Sequence, residues 1–229
     1  MILTERLKKV AEYVDNSYCL ADIGTDHGYV PIFCVKNGRA KYAVASDVNE
    51  GPILSAKKNI EKYGLCKKIE TRLSNGFENF EKNSFDTAVI AGMGGLLINE
   101  IIENGKACFP DSVRLIIQPM IAQSEVRRYL SQNGFVIEDE CLAKEDGKIY
   151  NIFSCVKGEE KLSEFDIFVG KRLFEKGGNL FLEHMDRKIY TLEKIVSGLK
   201  KSKNVSDYLL RRETELGYYI KARKAGDKA

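Results

Sequence analysis

The sequence predicts an α/β fold: a doubly wound, mostly parallel sheet closed by one C-terminal antiparallel hairpin, with a helical hairpin beyond it. Three observations carry this. Short apolar runs alternate with helical patterns from residue 19 to residue 135. Glu145-Asp146-Gly147-Lys148 supplies an Asp-Gly hairpin signal between the last two strand-like runs. From residue 159 onward there is no proline, and apolar residues fall into a heptad-type seam. These patterns divide the chain into a sheet domain over 1–158 and a helical, coiled-coil-like domain over 159–229.

Residues 3–14 place Leu3, Leu7, Val10 and Val14 at spacings of 4, 3 and 4, an amphipathic helix with Thr4 as its candidate cap. Cys19 to Gly24 reads as a buried strand ending in a glycine turn, Pro31 to Asn37 as a helix ending at Gly38, and Tyr42 to Asp47 as a second strand. Ile53 to Tyr63 is the next helix, with Pro52 suited to its first turn and Gly64 to its end. Ile69 to Leu73 and Phe85 to Ala91 are strands three and four; Leu96 to Asn104 is a helix, Val113 to Gln118 a fifth strand, and Ser124 to Gln132 another helix. Phe135–Glu140 and Tyr150–Cys155 flank the Asp-Gly turn as the closing hairpin. In the tail, Met185, Ile189, Leu192, Val196 and Leu199 are spaced 4, 3, 4 and 3; Asn204 marks a turn; and Val205, Leu209, Leu216 and Ile220 give a poorer second stripe. Two antiparallel helices follow from this, with a seam that leaves monomer and weak dimer both open.

The composition is that of a folded, water-soluble chain. Of 229 residues, 44% are hydrophobic and 30% charged, which excludes collagen-like, mucin-like and largely disordered classes. No run approaches the roughly 18 apolar residues of a membrane span, and charged Glu5 and Arg6 interrupt the place where a signal peptide needs an apolar core. Six scattered cysteines with no C-x-x-C, and only two histidines, argue for reduced, mostly buried thiols and against a metal site. The expected setting is the cytoplasm. Net charge is +3, but residues 159–229 hold 16 Lys/Arg against 12 Asp/Glu, so the whole positive excess lies in the tail. That asymmetry fits a polyanionic partner.

Ligands of such sheets sit at the carboxyl ends of the strands, where the chemistry concentrates. Asp22-Ile23-Gly24-Thr25-Asp26-His27-Gly28-Tyr29 is a glycine turn between strand and helix. A dinucleotide-binding turn has a glycine at the position of Asp26, so that pyrophosphate can approach the backbone. A carboxylate there opposes pyrophosphate but welcomes the sulfonium and ammonium of S-adenosylmethionine (SAM). Asp47 ends the second strand, 23 residues after Gly24, where an acidic side chain can accept from both ribose hydroxyls, with Val48 beside it. Ser74-Asn75-Gly76 follows the third strand, at the place expected for the adenine ring. Ala91-Gly92-Met93-Gly94-Gly95 ends the fourth strand with backbone suited to close approach, and Gln118-Pro119-Met120 ends the fifth, where it is a candidate to line the same cleft.

Together these segments resemble the bacterial tRNA (adenine-22, N1)-methyltransferases, the TrmK family, over essentially the whole chain. The resemblance rests on Ala21 to Tyr29, Ala91 to Gly95 and Gln118-Pro119. It implies a Rossmann-like class I methyltransferase fold, SAM as methyl donor and N1 of an adenine in the tRNA D-arm as acceptor. The donor site is then expected at Asp22, Gly24, Asp26, His27 and Gly28, at Asp47 and Val48, at Asn75 and Gly76, and at Ala91 and Gly92. Asp26, His27, Tyr29 and Met93 are the candidates facing the acceptor base. Lys200, Lys201 and Lys203 at the hairpin tip, with Arg211, Arg212 and Arg223 on the second helix, are the candidates for tRNA phosphates. The residues alone leave other readings open: an NAD-dependent oxidoreductase, disfavoured by Asp26; a methyltransferase acting on another RNA or a protein; and a non-catalytic RNA-binding protein of the same fold.

Overall fold

Seven strands form one mixed sheet in the order β3-β2-β1-β4-β5-β7-β6 in the computed structural model, which describes residues 2–201 and 207–226. The chain divides into two compact units, Met1–Glu160 and Lys161–Ala229.

In the first unit α1 (Glu5–Glu12) precedes β1 (Ser17–Ile23), and Thr4 caps it by accepting the N–H of Leu7. Then follow α2 (Tyr29–Lys36), β2 (Ala40–Asp47), α3 (Glu50–Lys62), β3 (Ile69–Leu73), β4 (Thr87–Gly94), α4 (Gly95–Gly105), β5 (Arg114–Ile121) and α5 (Gln123–Gln132). These five strands pair in parallel, β1 lying between β2 and β4. Leu20, Ala88, Val89, Ile90, Leu115, Ile116 and Ile117 are fully buried, the continuous apolar runs of strands covered on both faces. β6 (Phe135–Glu145) and β7 (Lys148–Lys157) add the antiparallel edge, with β7 inserted between β5 and β6. Asp146 and Gly147 both have positive φ, 47° and 72°, as a two-residue turn matching strand twist requires.

Two differences from the sequence reading concern lengths. β4 runs three residues past Ala91, through the glycine-methionine segment to Gly94, with register shifts around Met93. The hairpin strands are longer than their apolar cores because ladder pairing carries polar residues such as Glu145 and Lys148 with it.

In the second unit α6 (Glu164–Val169) begins with a capping box between Ser163 and Asp166, and α7 (Lys171–Lys176) follows directly. Sequence periodicity did not reveal these helices, each only six residues long. Their aromatic side chains bind them to the hairpin: Phe168 stacks on Tyr218 at 5.8 Å and Phe174 meets Phe181 edge-on at 6.2 Å. α8 (Asn179–Lys201) and α9 (Asp207–Gly226) pack together. On α8 Met185, Leu192 and Val196 are buried as the seam requires, whereas Ile189 and Leu199 are half-buried. On α9 Leu209 is buried, but Tyr219 and Ala222 take the inner places that Leu216 and Ile220 only share. Lys203, Asn204 and Val205 lie outside the described residues. No described helix is long and apolar enough to cross a membrane.

A buried ion pair fastens α5 to the edge hairpin. Arg127 Nε lies 2.6 Å from Glu140 Oε1, both side chains 2% exposed or less, with the guanidinium over the Phe153 ring. Arg127→Ala leaves a buried carboxylate without its counter-charge and is expected to cost roughly 3–5 kcal/mol in urea unfolding, against much less for a paired replacement of both residues by apolar ones.

Candidate active site

A cleft of about 370 Å³ opens at the carboxyl ends of β1 and β4, within the roughly 300–1,000 Å³ of small-molecule sites. This is where the helices following β1 and β4 diverge, the switch point at which doubly wound sheets bind ligands. Asp22, Gly24, Thr25, Asp26, His27, Gly28, Tyr29 and Val30 line one wall, Ala91 and Gly92 a second, and Thr4, Arg6 and Leu7 of α1 a third.

The glycine turn is held from below. Ser46 O accepts from both Gly24 N and Thr25 N at 2.8 Å, and Thr25 Oγ1 accepts from Gly28 N at 3.2 Å. Three N–H groups are thereby spent internally, so the turn does not present the row of donors a pyrophosphate needs. Gly24 has φ of +75°, and a Cβ there would collide with the Met93 methyl group. A side chain there would displace that methyl group and strain the left-handed backbone.

Asp22 is buried at the end of β1. Burial is the main cause that raises its carboxyl to about 6; Thr25 works against this by hydrogen bonding, and the Asp47 charge adds to it. Asp26 is the opposite case, its side chain 78% exposed at the lip. His27 Nε2 lies 3.1 Å from Asp26 Oδ2 and Nδ1 2.6 Å from Ser55 Oγ on α3. With the proton on Nε2, the ring donates to Asp26 and accepts from the serine hydroxyl. Asn59 Nδ2 donates to His27 O, and the Tyr29 ring lies 5.1 Å from the imidazole at 32°. α3 thus fixes the histidine from behind.

The other expected residues lie along neighbouring strand ends. Asp47 Oδ1 accepts from Asn49 N at 2.8 Å, which turns the chain into α3; Asp47 is half-buried and Val48 is exposed beside it. Asn75 is exposed and donates to Glu78, while Ser74 Oγ donates to Gly76 O, closing the loop after β3. Asp47, Val48, Asn75, Gly76 and Met93 are not among the residues that line the cleft. Among the described residues, no three His, Cys, Asp or Glu side chains gather in a metal-binding group.

Sequence reasoning placed Gln118 at the cleft but missed the wall that Thr4, Arg6 and Leu7 form. Gln118, wholly buried at the end of β5, accepts with Oε1 from Gly92 N at 3.1 Å and from Arg6 Nη1 at 2.6 Å. It therefore pins the irregular end of β4 and draws α1 over the cleft. The β4–α4 junction is pressed equally hard: a Cβ on Gly95 would stand 2.6 Å from Ala122 O, and Ala122 itself holds φ of +60°. Ser55 and Asn59 were likewise unforeseen, since a helix pattern does not say which of its polar residues reach across to a turn.

Of the candidate phosphate ligands on the hairpin, Lys200 pairs with Glu213, Arg212 with Glu215, and Arg223 with Asp186. Lys201 and Arg211 are exposed. Lys203 lies outside the described residues.

The strand order and the cleft at the β1–β4 junction define a Rossmann-like SAM-methyltransferase fold. The model of the TrmK family, tRNA (adenine(22)-N(1))-methyltransferase, matches residues 20–216, and the chain belongs to that family. It is 41% identical to the tRNA (adenine(22)-N(1))-methyltransferase of Bacillus subtilis over 157 residues, 69% of this chain and 66% of that protein. The structure of M. capricolum TrmK with S-adenosyl-homocysteine superposes with a TM-score of 0.85 at 31% identity, covering 98% of this chain and 99% of that one. A Streptococcus pneumoniae protein solved in complex with S-adenosyl-L-methionine superposes with a TM-score of 0.87 at 33% identity, covering 97% and 100%.

The raised Asp22 carboxyl makes stability depend on pH. Because the folded value lies above the ordinary 3.8, the folded state holds the proton more tightly than the unfolded chain, so this group's stabilising contribution is full below about pH 4 and lost as pH rises through about 6. Asp22→Asn is expected to remove that decline, on the order of 3 kcal/mol, in unfolding free energies compared from pH 4 to 7.

Proposed function

We propose that this chain transfers a methyl group from SAM to N1 of adenine 22 in the D-arm of tRNA, in the cytoplasm. The observation that carries the reading is the carboxylate pair of the glycine turn, Asp22 at the cleft floor and Asp26 at its lip, where a pyrophosphate ligand would need bare backbone. Family membership supports the acceptor.

The residues fit the donor. Gly24 leaves its backbone open to the cleft beneath the Met93 methyl, and the two carboxylates offer counter-charges to a cationic ligand. Asp22, Gly24, Asp26, His27 and Gly28 would hold its amino-acid end with Ala91 and Gly92. Asp47 and Val48 would hold the ribose, and Asn75 and Gly76 the adenine. When bound, SAM supplies an electrophilic methyl group on a sulfonium centre.

Adenine N1 carries a lone pair and no proton, so attack needs no prior base. What the protein must supply is alignment and the exclusion of water, which together can lower a barrier by about 7–11 kcal/mol. Tyr29, at the first position of α2, offers a ring for the base to stack on, and Met93 a flexible apolar edge. The methylated adenine is a cation, so the Asp26 carboxylate, oriented through His27 and Ser55, stabilises the charge as it develops. N1 is covered in a Watson–Crick pair, so the acceptor enters unpaired or flipped out.

Incubation with tritium-labelled SAM and tRNA lacking the modification, followed by nucleoside analysis, is expected to give 1-methyladenosine mapped to position 22. SAM binding without incorporation would sink the acceptor assignment and favour the non-catalytic RNA-binding reading.

Hairpin cations already paired within their own unit contribute less to an external phosphate than exposed ones. Lys201→Ala with Arg211→Ala is therefore expected to weaken tRNA binding several-fold and to lower the salt dependence by about two phosphate contacts. Arg223→Ala should have the smaller effect in the same filter-binding titration.

A further inference from the structure

Arg6 is the only lysine or arginine among the described residues lining the cleft, and it stands where Asp22 and Asp26 supply the opposite sign. Its Nη1 lies 3.8 Å from where a side chain on Gly92 would begin. Building it there takes three groups. Buried Gln118 accepts from Nη1 at 2.6 Å; Glu145 Oε2 accepts the backbone N–H of Arg6 at 2.8 Å; and the guanidinium lies over the Tyr150 ring at 5.5 Å.

The placement leaves most of the guanidinium's hydrogen-bonding capacity unused. Arginine has five N–H donors. Within the described residues this side chain makes one hydrogen bond, to Gln118, and its Nε stands 4.0 Å from Glu145 Oε1, an ion pair too long to be a hydrogen bond. A charged fork four-fifths shielded from solvent, with donors to spare, is suited to an oxyanion.

A purely anionic ligand would meet Asp22 and Asp26, and a purely cationic one would meet Arg6. A zwitterion satisfies both. We infer that Arg6 binds the α-carboxylate of the donor's amino-acid group, opposite the carboxylates that take its ammonium. This rests on the donor-binding reading above and assigns the third wall of the cleft a part in it. The recessed position favours a small-molecule carboxylate over an RNA phosphate, which would be met at the lip. α1 is then a ligand-contacting element, tied by Gln118 to the end of β4.

The test is calorimetric binding of SAM and of decarboxylated SAM, which lacks only the carboxylate, to the full chain without tRNA. The wild-type protein is expected to bind decarboxylated SAM roughly ten- to a hundredfold more weakly, the size of a charge-assisted contact. Arg6→Gln should weaken SAM by a similar factor, leave decarboxylated SAM almost unchanged and so collapse the ratio toward one; Arg6→Lys should fall between. Equal wild-type affinities for the two ligands would overturn the inference without any variant. So would a ratio unchanged in Arg6→Gln, or an equal loss for both ligands, which would reduce Arg6 to packing. Weakened tRNA binding with an unchanged ratio would assign the guanidinium to phosphate instead. A wild-type protein that binds neither ligand would remove the donor-binding reading itself, and this inference with it.

Discussion

The site depends on one topological constraint, the reversal of strand order at β1. β2 and β3 extend the sheet to one side of it and β4 and β5 to the other, so the helices that follow β1 and β4 diverge and leave a crevice between them. Everything polar in the crevice exists because the strands beneath are apolar and fixed. Leu20, Val89 and Ile116 are wholly buried, and their rigidity lets Asp22 be carried to the floor of a cleft where it is costly to ionise.

That cost selects the ligand. A carboxylate that burial makes costly to ionise gains from a partner bringing positive charge, and its charge is opposed by a phosphate. The turn agrees: its Gly24 and Thr25 N–H groups point back to Ser46 rather than outward. The same sheet architecture that serves dinucleotides elsewhere is here reversed in polarity by two side chains and by the direction of its amides. Arg6 restores a single positive group at one end, so the cleft is polarised rather than merely acidic.

The sequence made the sheet legible because buried parallel strands read as short apolar runs and their turns carry glycine. Strand three was read with its observed limits, Ile69–Leu73, and the Asp-Gly turn fell where the hairpin closes. In the glycine turn the informative residue is Asp26, which occupies a position where residue type discriminates between ligands. The third wall was not legible. Arg6 and Gln118 are 112 residues apart, and Arg6 and Glu145 139 apart; nothing in an amphipathic pattern says that the polar face of α1 turns inward at one residue. α6 and α7 escaped for another reason: six residues are too few to display a helical period, and aromatic contacts rather than propensity hold them.

Charge on the helical hairpin shows the same limit of one-dimensional reading. A balance of +4 over residues 159–229 counts every lysine and arginine, but the field a polyanion meets depends on which of them face carboxylates. Helix-to-helix register decides that: it brings Glu213 to Lys200 and Asp186 to Arg223. These pairs are exposed, and exposed pairs contribute only about 0–1 kcal/mol, so exchanging a carboxylate for a phosphate costs little. The hairpin is thus less basic in the folded protein than its composition implies, because part of its positive charge already faces carboxylates. On such a surface the carboxylates moderate non-specific attraction to any polyanion, so the count of basic residues alone overstates how basic the hairpin is.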